Sequence, residues 1–174
     1  MDFKEMIKKR RSIRKYKQDE KMGEEELLDI LTYASMGPSK GNTHPVEFLV
    51  IDDAEKKKGL AAIKRFGTKY LGDAPQIIAV LGNNPSEVTW IEEATITASY
   101  LGLLLFDAGY SSSWINIRGE KADDGRAAEE VVKELFNIPD DYAVLCLIPF
   151  GVADERIPSR KYFDISSKVH MGEF

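Results

Sequence analysis

Two uninterrupted apolar runs, at residues 76–81 and 142–150, constrain this chain more than any other feature of its sequence. A strand with one wet face alternates apolar and polar residues, so a run without polar interruption reads as a strand covered on both faces. Helices must then lie on either side of a single sheet. Further strands are expected at 46–51 and, shorter, at 110–117. Helical patterns fill the intervals. Residues 24–36 place Leu27, Ile30, Leu31 and Ala34 on one face and stop at Gly37-Pro38, and residues 53–69 and 126–136 read as two more helices. Residues 90–108 give the longest pattern. Ala94, Ala98, Leu101, Leu104, Leu105 and Ala108 make it apolar on more than one side, as a central core helix should be. At the amino end, Asp2 and Glu5 read as a capping box, and Phe3, Met6 and Ile7 supply the apolar side of a first helix. These elements suit one α/β or α+β domain, because 174 residues bury one substantial core and fall short of two. Periodicity fades after Asp154, so the tail at about 154–174 either hangs loose or packs on something else, such as a second subunit.

Charge is distributed unevenly. Residues 1–17 carry eight Lys or Arg against Asp2 and Glu5, a local excess of +6 on a chain whose net charge is -5. Within that stretch, Arg10-Arg11-Ser12-Ile13-Arg14 gathers three guanidinium forks and a hydroxyl, a donor set suited to a phosphomonoester. The same residues also suit a solvated helix end whose cations face the C-terminal dipole. One dense patch on an acidic protein argues against nucleic acid, which needs a broad basic face. Neither a Walker loop nor a G-x-G-x-x-G fingerprint occurs, so side chains would have to hold any cofactor phosphate. His44 and His170 belong to no cluster with ligand spacing, so no metal site is expected. The lone Cys146 sits in the second apolar run and cannot form an internal disulfide. Together with the absence of a visible signal peptide or membrane span, this gives the expectation of a soluble, cytoplasmic protein with no membrane partner.

After the second helical pattern comes Gly37-Pro38-Ser39-Lys40-Gly41-Asn42-Thr43-His44-Pro45, rich in turn formers and side-chain hydrogen bonders. A plain surface connection is the commoner reading of any such single loop.

Four separated segments together resemble the nitroreductase family of FMN-dependent oxidoreductases, from residue 3 to about residue 173. Residues 10–16 resemble its Arg-Arg-Ser-x-Arg-x-aromatic signature, and residues 38–45 its Pro-Ser-x-x-Asn-x-Gln-Pro loop. Gly109-Tyr110-Ser111-Ser112-Ser113-Trp114-Ile115 is similar to its Gly-Leu-Gly-Ser-Cys-Trp-Ile element. Pro158-Ser159-Arg160 stands where the family carries a C-terminal basic residue that returns to the phosphate.

The resemblance implies an α+β fold, with a mixed sheet flanked by helices, in an intertwined homodimer. Two FMN molecules would lie at the interface, bound tightly but non-covalently, and the C-terminal tails would exchange. Carried over by position, Arg10, Ser12, Arg14 and Arg160, with Arg11 beside them, would hold phosphate and ribityl oxygens. Pro38, Ser39 and Asn42, with Lys40 and His44, would reach the ring from the other subunit. Backbone at Trp114 and Ile115 would line the ring, and Gly151 would leave room near the phosphate. Lys69 or Lys64 would offer a cation to the reduced ring. The implied activity is transfer of electrons from NADH or NADPH to a small electron-poor acceptor, a nitroaromatic or quinone, by a ping-pong mechanism. Ser39 or His44 is a candidate ring-edge proton donor. A flavin-binding carrier or sensor without efficient turnover is the alternative. His44 replaces the family's Gln, Val46 its Trp and Ser113 its commoner Cys. The chain also lacks the long helical insertion that covers the pocket in larger relatives.

Overall fold

The computed structural model describes residues 2–64, 66–83, 89–157, 159–161 and 164–174. Its centre is a sheet in which β2 (Gln76–Asn83) and β5 (Tyr142–Gly151), the two apolar runs, pair antiparallel. β1 (Val46–Ile51) lies on the other side of β2, and the dyads β3 (Ser111–Ser112) and β4 (Ile115–Asn116) lie on the far edge of β5. All these pairs are antiparallel. Among the described residues, the parallel component of the expected mixed sheet is one bridge, Ser12 to Ser112.

Burial on both faces explains the missing polar interruptions. Ile77, Ala79 and Leu81 point into a core layer with Leu60, Leu71, Ala128 and Val132, under α3 (Ala54–Ala61) and α5 (Ala128–Phe136). Ile78 and Val80 point the other way, onto α2 (Glu24–Ala34) and α4 (Trp90–Asp107) through Leu27, Ile30, Ala94, Ala98, Leu101 and Leu105. The register slips between Val80 and Leu81, which face Cys146 and Val144, so β5 carries Leu145 as an extra residue. Leu145 and Cys146 consequently both fall in the α2–α4 layer. Close approach fixes one glycine here: a Cβ on Gly82 would lie 2.3 Å from the Trp90 ring.

Three expectations need correction. The helix expected over 53–69 ends at Ala61, and a separate 3-10 turn forms at Lys69–Leu71. Gly67 turns the chain with φ +87°, and the Thr68 hydroxyl bonds the carbonyls of Ala61 and Lys64. These bonds replace helix continuation. The strand expected over 110–117 splits into β3 and β4, because Pro149, which accepts from Ser113 N at 3.2 Å, has no N–H of its own to return to the ladder. The first helix, α1 (Phe3–Lys9), forms without its capping box: the Asp2 side chain makes no cap bond, and Glu5 turns to Lys8 at 3.6 Å. α1 buries nothing, and Phe3 is 58% exposed.

Candidate functional site

Residues 11–16 follow α1 without regular secondary structure, forming isolated bridges at Ser12 and Tyr16. Ile13 and Tyr16 enter the core, and Ser12, Arg14 and Lys15 are exposed. The segment is tied to the sheet end by Ile13 N donating to Ser112 O (3.1 Å), Lys17 N to Val152 O and Asp154 N to Lys15 O. Beneath it, the Tyr16 hydroxyl donates to the carbonyls of Ile13 and Pro149. The Glu155 carboxylate accepts from the backbone N–H groups of Arg14 (2.7 Å) and Lys15 (3.2 Å).

The two ends of the chain meet here. Arg160 Nη2 donates to Arg10 O at 3.3 Å, and Arg11 Nη1 to Ser159 O at 2.8 Å. Burial lowers the Arg10 pKa, and the neighbouring charges of Arg160 and then Arg11 lower it further. Cations crowded so closely favour an anion. Pro158, quoted with Arg160 in the tail motif, lies outside the described residues.

Arg10 and Ser12 form one wall of a cleft of about 340 Å³ whose other walls include Ser112, Ser113, Trp114 and Gly102 of α4. Its size matches small-molecule sites, and among the described residues no carboxylate lines it. Trp114 is half-buried and donates through Nε1 to Asn116 Oδ1. The Ile115 side chain turns into the core layer beneath α3 and α5. Ser113 is 3% exposed and its hydroxyl lies 2.9 Å from that of Tyr70.

The Pro38–Pro45 loop faces a second cleft, of about 560 Å³, lined by Lys40, His44, Pro45, Glu47, Asn83 and Glu93 among others. The clefts share no lining residue. Gly41, Asn42 and His44 all adopt positive φ, so the loop is tightly wound. Glu93, buried in the first turn of α4, accepts from Lys40 N at 2.6 Å and anchors it. His44 N donates to Ser39 Oγ; its Nδ1 lies 3.0 Å from Ser35 O and its Nε2 3.1 Å from Asn42 Oδ1. A carbonyl only accepts, so Nδ1 carries a proton, and both ring nitrogens are engaged within the loop. Pro38 and Asn42 are exposed beside it.

Other candidates sit elsewhere. Lys64 Nζ pairs with Glu120 at 2.6 Å, and Lys69 is exposed in the 3-10 turn; neither lines the first cleft. The space that Gly151 leaves is taken by protein: a Cβ there would lie 2.9 Å from Pro75 and 3.1 Å from Tyr16. Its glycine answers to packing against Pro75 and Tyr16. Sequence reasoning missed Tyr70, Glu93 and Glu155. Each acts across at least 40 residues of chain, and no local pattern marks it.

Burial raises the pKa of both Tyr16 and Tyr70, above all by desolvation and against the opposing Ser113 hydrogen bond. The folded protein then holds these protons more tightly than the unfolded chain, so stability is intact below the ordinary phenol range and falls as pH climbs beyond about 10. Denaturant melts across pH 8–12 should show that fall, and Tyr16→Phe should flatten it. An unchanged slope in the variant would contradict the assignment.

The Nitroreductase family model matches residues 7–69. An FMN-dependent nitroreductase from Clostridium difficile R20291 superposes with a TM-score of 0.90 at 36% identity, covering 97% of this chain and 98% of that one. The Methanothermobacter thermautotrophicus protein named "Putative NADH dehydrogenase/NAD(P)H nitroreductase" is 30% identical over 98% of this chain and 87% of its own length. An iodotyrosine deiodinase bound to FMN and 3-iodo-L-tyrosine shares the fold, with a TM-score of 0.80 at 23% identity over 98% of this chain and 99% of its own. The chain belongs to the nitroreductase family.

Proposed function

We propose that this protein is an FMN-dependent NAD(P)H oxidoreductase that passes electrons to small electron-poor acceptors such as nitroaromatics or quinones, working as a homodimer by a ping-pong mechanism. The observation that carries this reading is the meeting of Arg11 and Arg160, from opposite ends of the chain, beside Arg10, which walls the first cleft. FMN joins a phosphate dianion, a hydroxylated chain and a flat ring, and it needs cations, hydroxyls and an open slot. The residues fit: the Arg10 guanidinium with those of Arg11 and Arg160 beside it, the hydroxyls of Ser12, Ser112 and Ser113, and a cleft that no carboxylate of the described residues lines.

When bound, FMN would supply the redox chemistry, accepting hydride from NADH or NADPH and delivering electrons to the acceptor. Arg10, Ser12, Arg14 and Arg160, with Arg11 beside them, would hold its phosphate and polyol, and the backbone at Trp114 and Ile115 would border its ring. Ser39 is the better ring-edge donor of the two loop candidates, because its hydroxyl accepts from His44 N and keeps its own proton to give, whereas the His44 ring is tied into the loop. Pro38, Lys40 and Asn42 would complete the ring pocket from a second copy.

Two features support pairing of copies. Among the described residues the two clefts share no lining residue, in keeping with the two motifs meeting one ligand from different copies. α1, α2 and α4 also expose a contiguous apolar groove of about 470 Å³, with Phe3, Met6, Tyr33, Met36, Leu103 and Leu104 in its walls. The tail beyond Asp154 leaves Ile165, Val169, Met171 and Phe174 exposed, in keeping with packing on a partner.

Anaerobic mixing of FMN-loaded protein with NADH or NADPH should bleach the flavin absorbance within the turnover time. Addition of a quinone should restore it. Failure with both nicotinamides would favour the carrier or sensor reading.

A further inference from the structure

Arg14 is oriented by something other than an acid. Among the described residues its side chain makes no ion pair; the guanidinium carbon lies 5.9 Å from the centroid of the Tyr70 ring. Glu155 holds only its backbone N–H. Orientation of the side chain therefore falls to Tyr70, and Tyr70 is itself fixed from below.

The hydroxyls beneath hold the phenol in place. Tyr16 has one phenolic proton and faces two carbonyls, so that proton is committed to the backbone. Ser113 Oγ stands 2.9 Å from the Tyr70 oxygen, a hydrogen bond that either hydroxyl can donate, and 3.5 Å from the Tyr16 oxygen. The charge of Arg14 acts on the Tyr70 phenol, and the Tyr70 ring presents an aromatic face, which attracts a cation.

We infer that Tyr70 is a positioning residue for Arg14. Its ring, anchored through its hydroxyl on Ser113, holds the exposed Arg14 guanidinium without an ion pair among the described residues, ready for the anionic or polyol part of a bound cofactor. This rests on the FMN reading above. Tyr70 touches no ligand in this role; it acts through Arg14.

A double-mutant cycle on FMN affinity, read by quenching of flavin fluorescence, tests the inference without reference to turnover. An exposed cation–π contact corresponds to about a five-fold change in affinity, so Tyr70→Leu should weaken FMN binding by about that factor. In an Arg14→Gln background the same substitution should change affinity less than about two-fold. Tyr70→Phe, which keeps the ring, should recover most of the native affinity. Should the leucine variant fail to fold, Tyr70→Gln serves in the same cycle, with thermal melts as the folding control. Equal losses in the native and Arg14→Gln backgrounds, or no loss in the native one, would overturn the inference. Absence of FMN binding by the unaltered protein would instead overturn the cofactor reading on which it stands.

Discussion

Arg10→Gln should weaken FMN binding by roughly 10–100-fold, because a hydrogen bond to a charged group contributes about 1.5–3 kcal/mol and each 1.4 kcal/mol is tenfold in affinity. The same change should leave the ligand-free protein as stable as before, or slightly more so. Arg10 lies among Arg11 and Arg160, whose charges work against its own, and this repulsion disappears with the guanidinium. Its structural tie to the tail runs through the Arg10 backbone carbonyl, which the variant keeps. Arg10→Lys retains charge without the planar fork and should fall between the two. FMN titration and thermal melts of ligand-free protein separate the effects. A variant with native affinity, or one destabilised in proportion to its lost affinity, would make Arg10 a structural residue and remove it from the site. The pattern matters because a site built of like charges costs the empty protein stability that the ligand's anion restores.

How much of this was legible beforehand follows from where each signal resides. β2 and β5 could be read directly, since burial on both faces leaves little place for a polar residue and the signal lies in the run itself; Gln76, the buried polar residue at the start of β2, is satisfied by the Met22 backbone. α2 and α4 carried their buried stripes in the same local way. The end of α3 could not be read, because the Thr68 hydroxyl displaces helical bonding to Ala61 and Lys64 only once the chain has turned at Gly67. The split between β3 and β4 was likewise hidden: Ser113 N bonds Pro149 O across the sheet, a choice the sequence 110–117 does not display. In the site, charge clustering exposed Arg10, Arg11 and Arg14, and motif order added Arg160. Their orienting partners stayed invisible. Glu155 reaches Arg14 from 141 residues away and Glu93 reaches Lys40 from 53, and an isolated acid has no periodicity to betray it. Gly151 shows the opposite case, a residue noticed for its place in a motif whose form is dictated by Pro75 and Tyr16.

Phe150→Ala should be the most destabilising of the substitutions considered, costing about 3–5 kcal/mol through lost burial and the cavity left behind. Phe150 is fully buried in the α2–α4 layer, and the Tyr110 ring meets it edge-on at 6.2 Å. For a chain of this size that cost corresponds to a fall of roughly 6–20 °C in the unfolding midpoint. Phe150→Leu keeps most of the volume and should cost less than about 1.5 kcal/mol. The lesion lies next to the site, since Phe150 pairs with Ser112 in β3, and Ser112 lines the first cleft. Those ladder bonds belong to the backbone and survive the substitution, so the folded variant should still bind FMN. Ligand at 100 times its dissociation constant then returns about 2.7 kcal/mol by mass action, most of what the cavity removes. Thermal melts of Phe150→Ala with and without FMN should therefore show a low midpoint that rises steeply on loading, whereas Arg10→Gln starts near the native midpoint and barely moves. If FMN fails to raise the Phe150→Ala midpoint, the core beneath β3 and the cleft above it form one cooperative unit, and the separation of packing from binding drawn here is wrong.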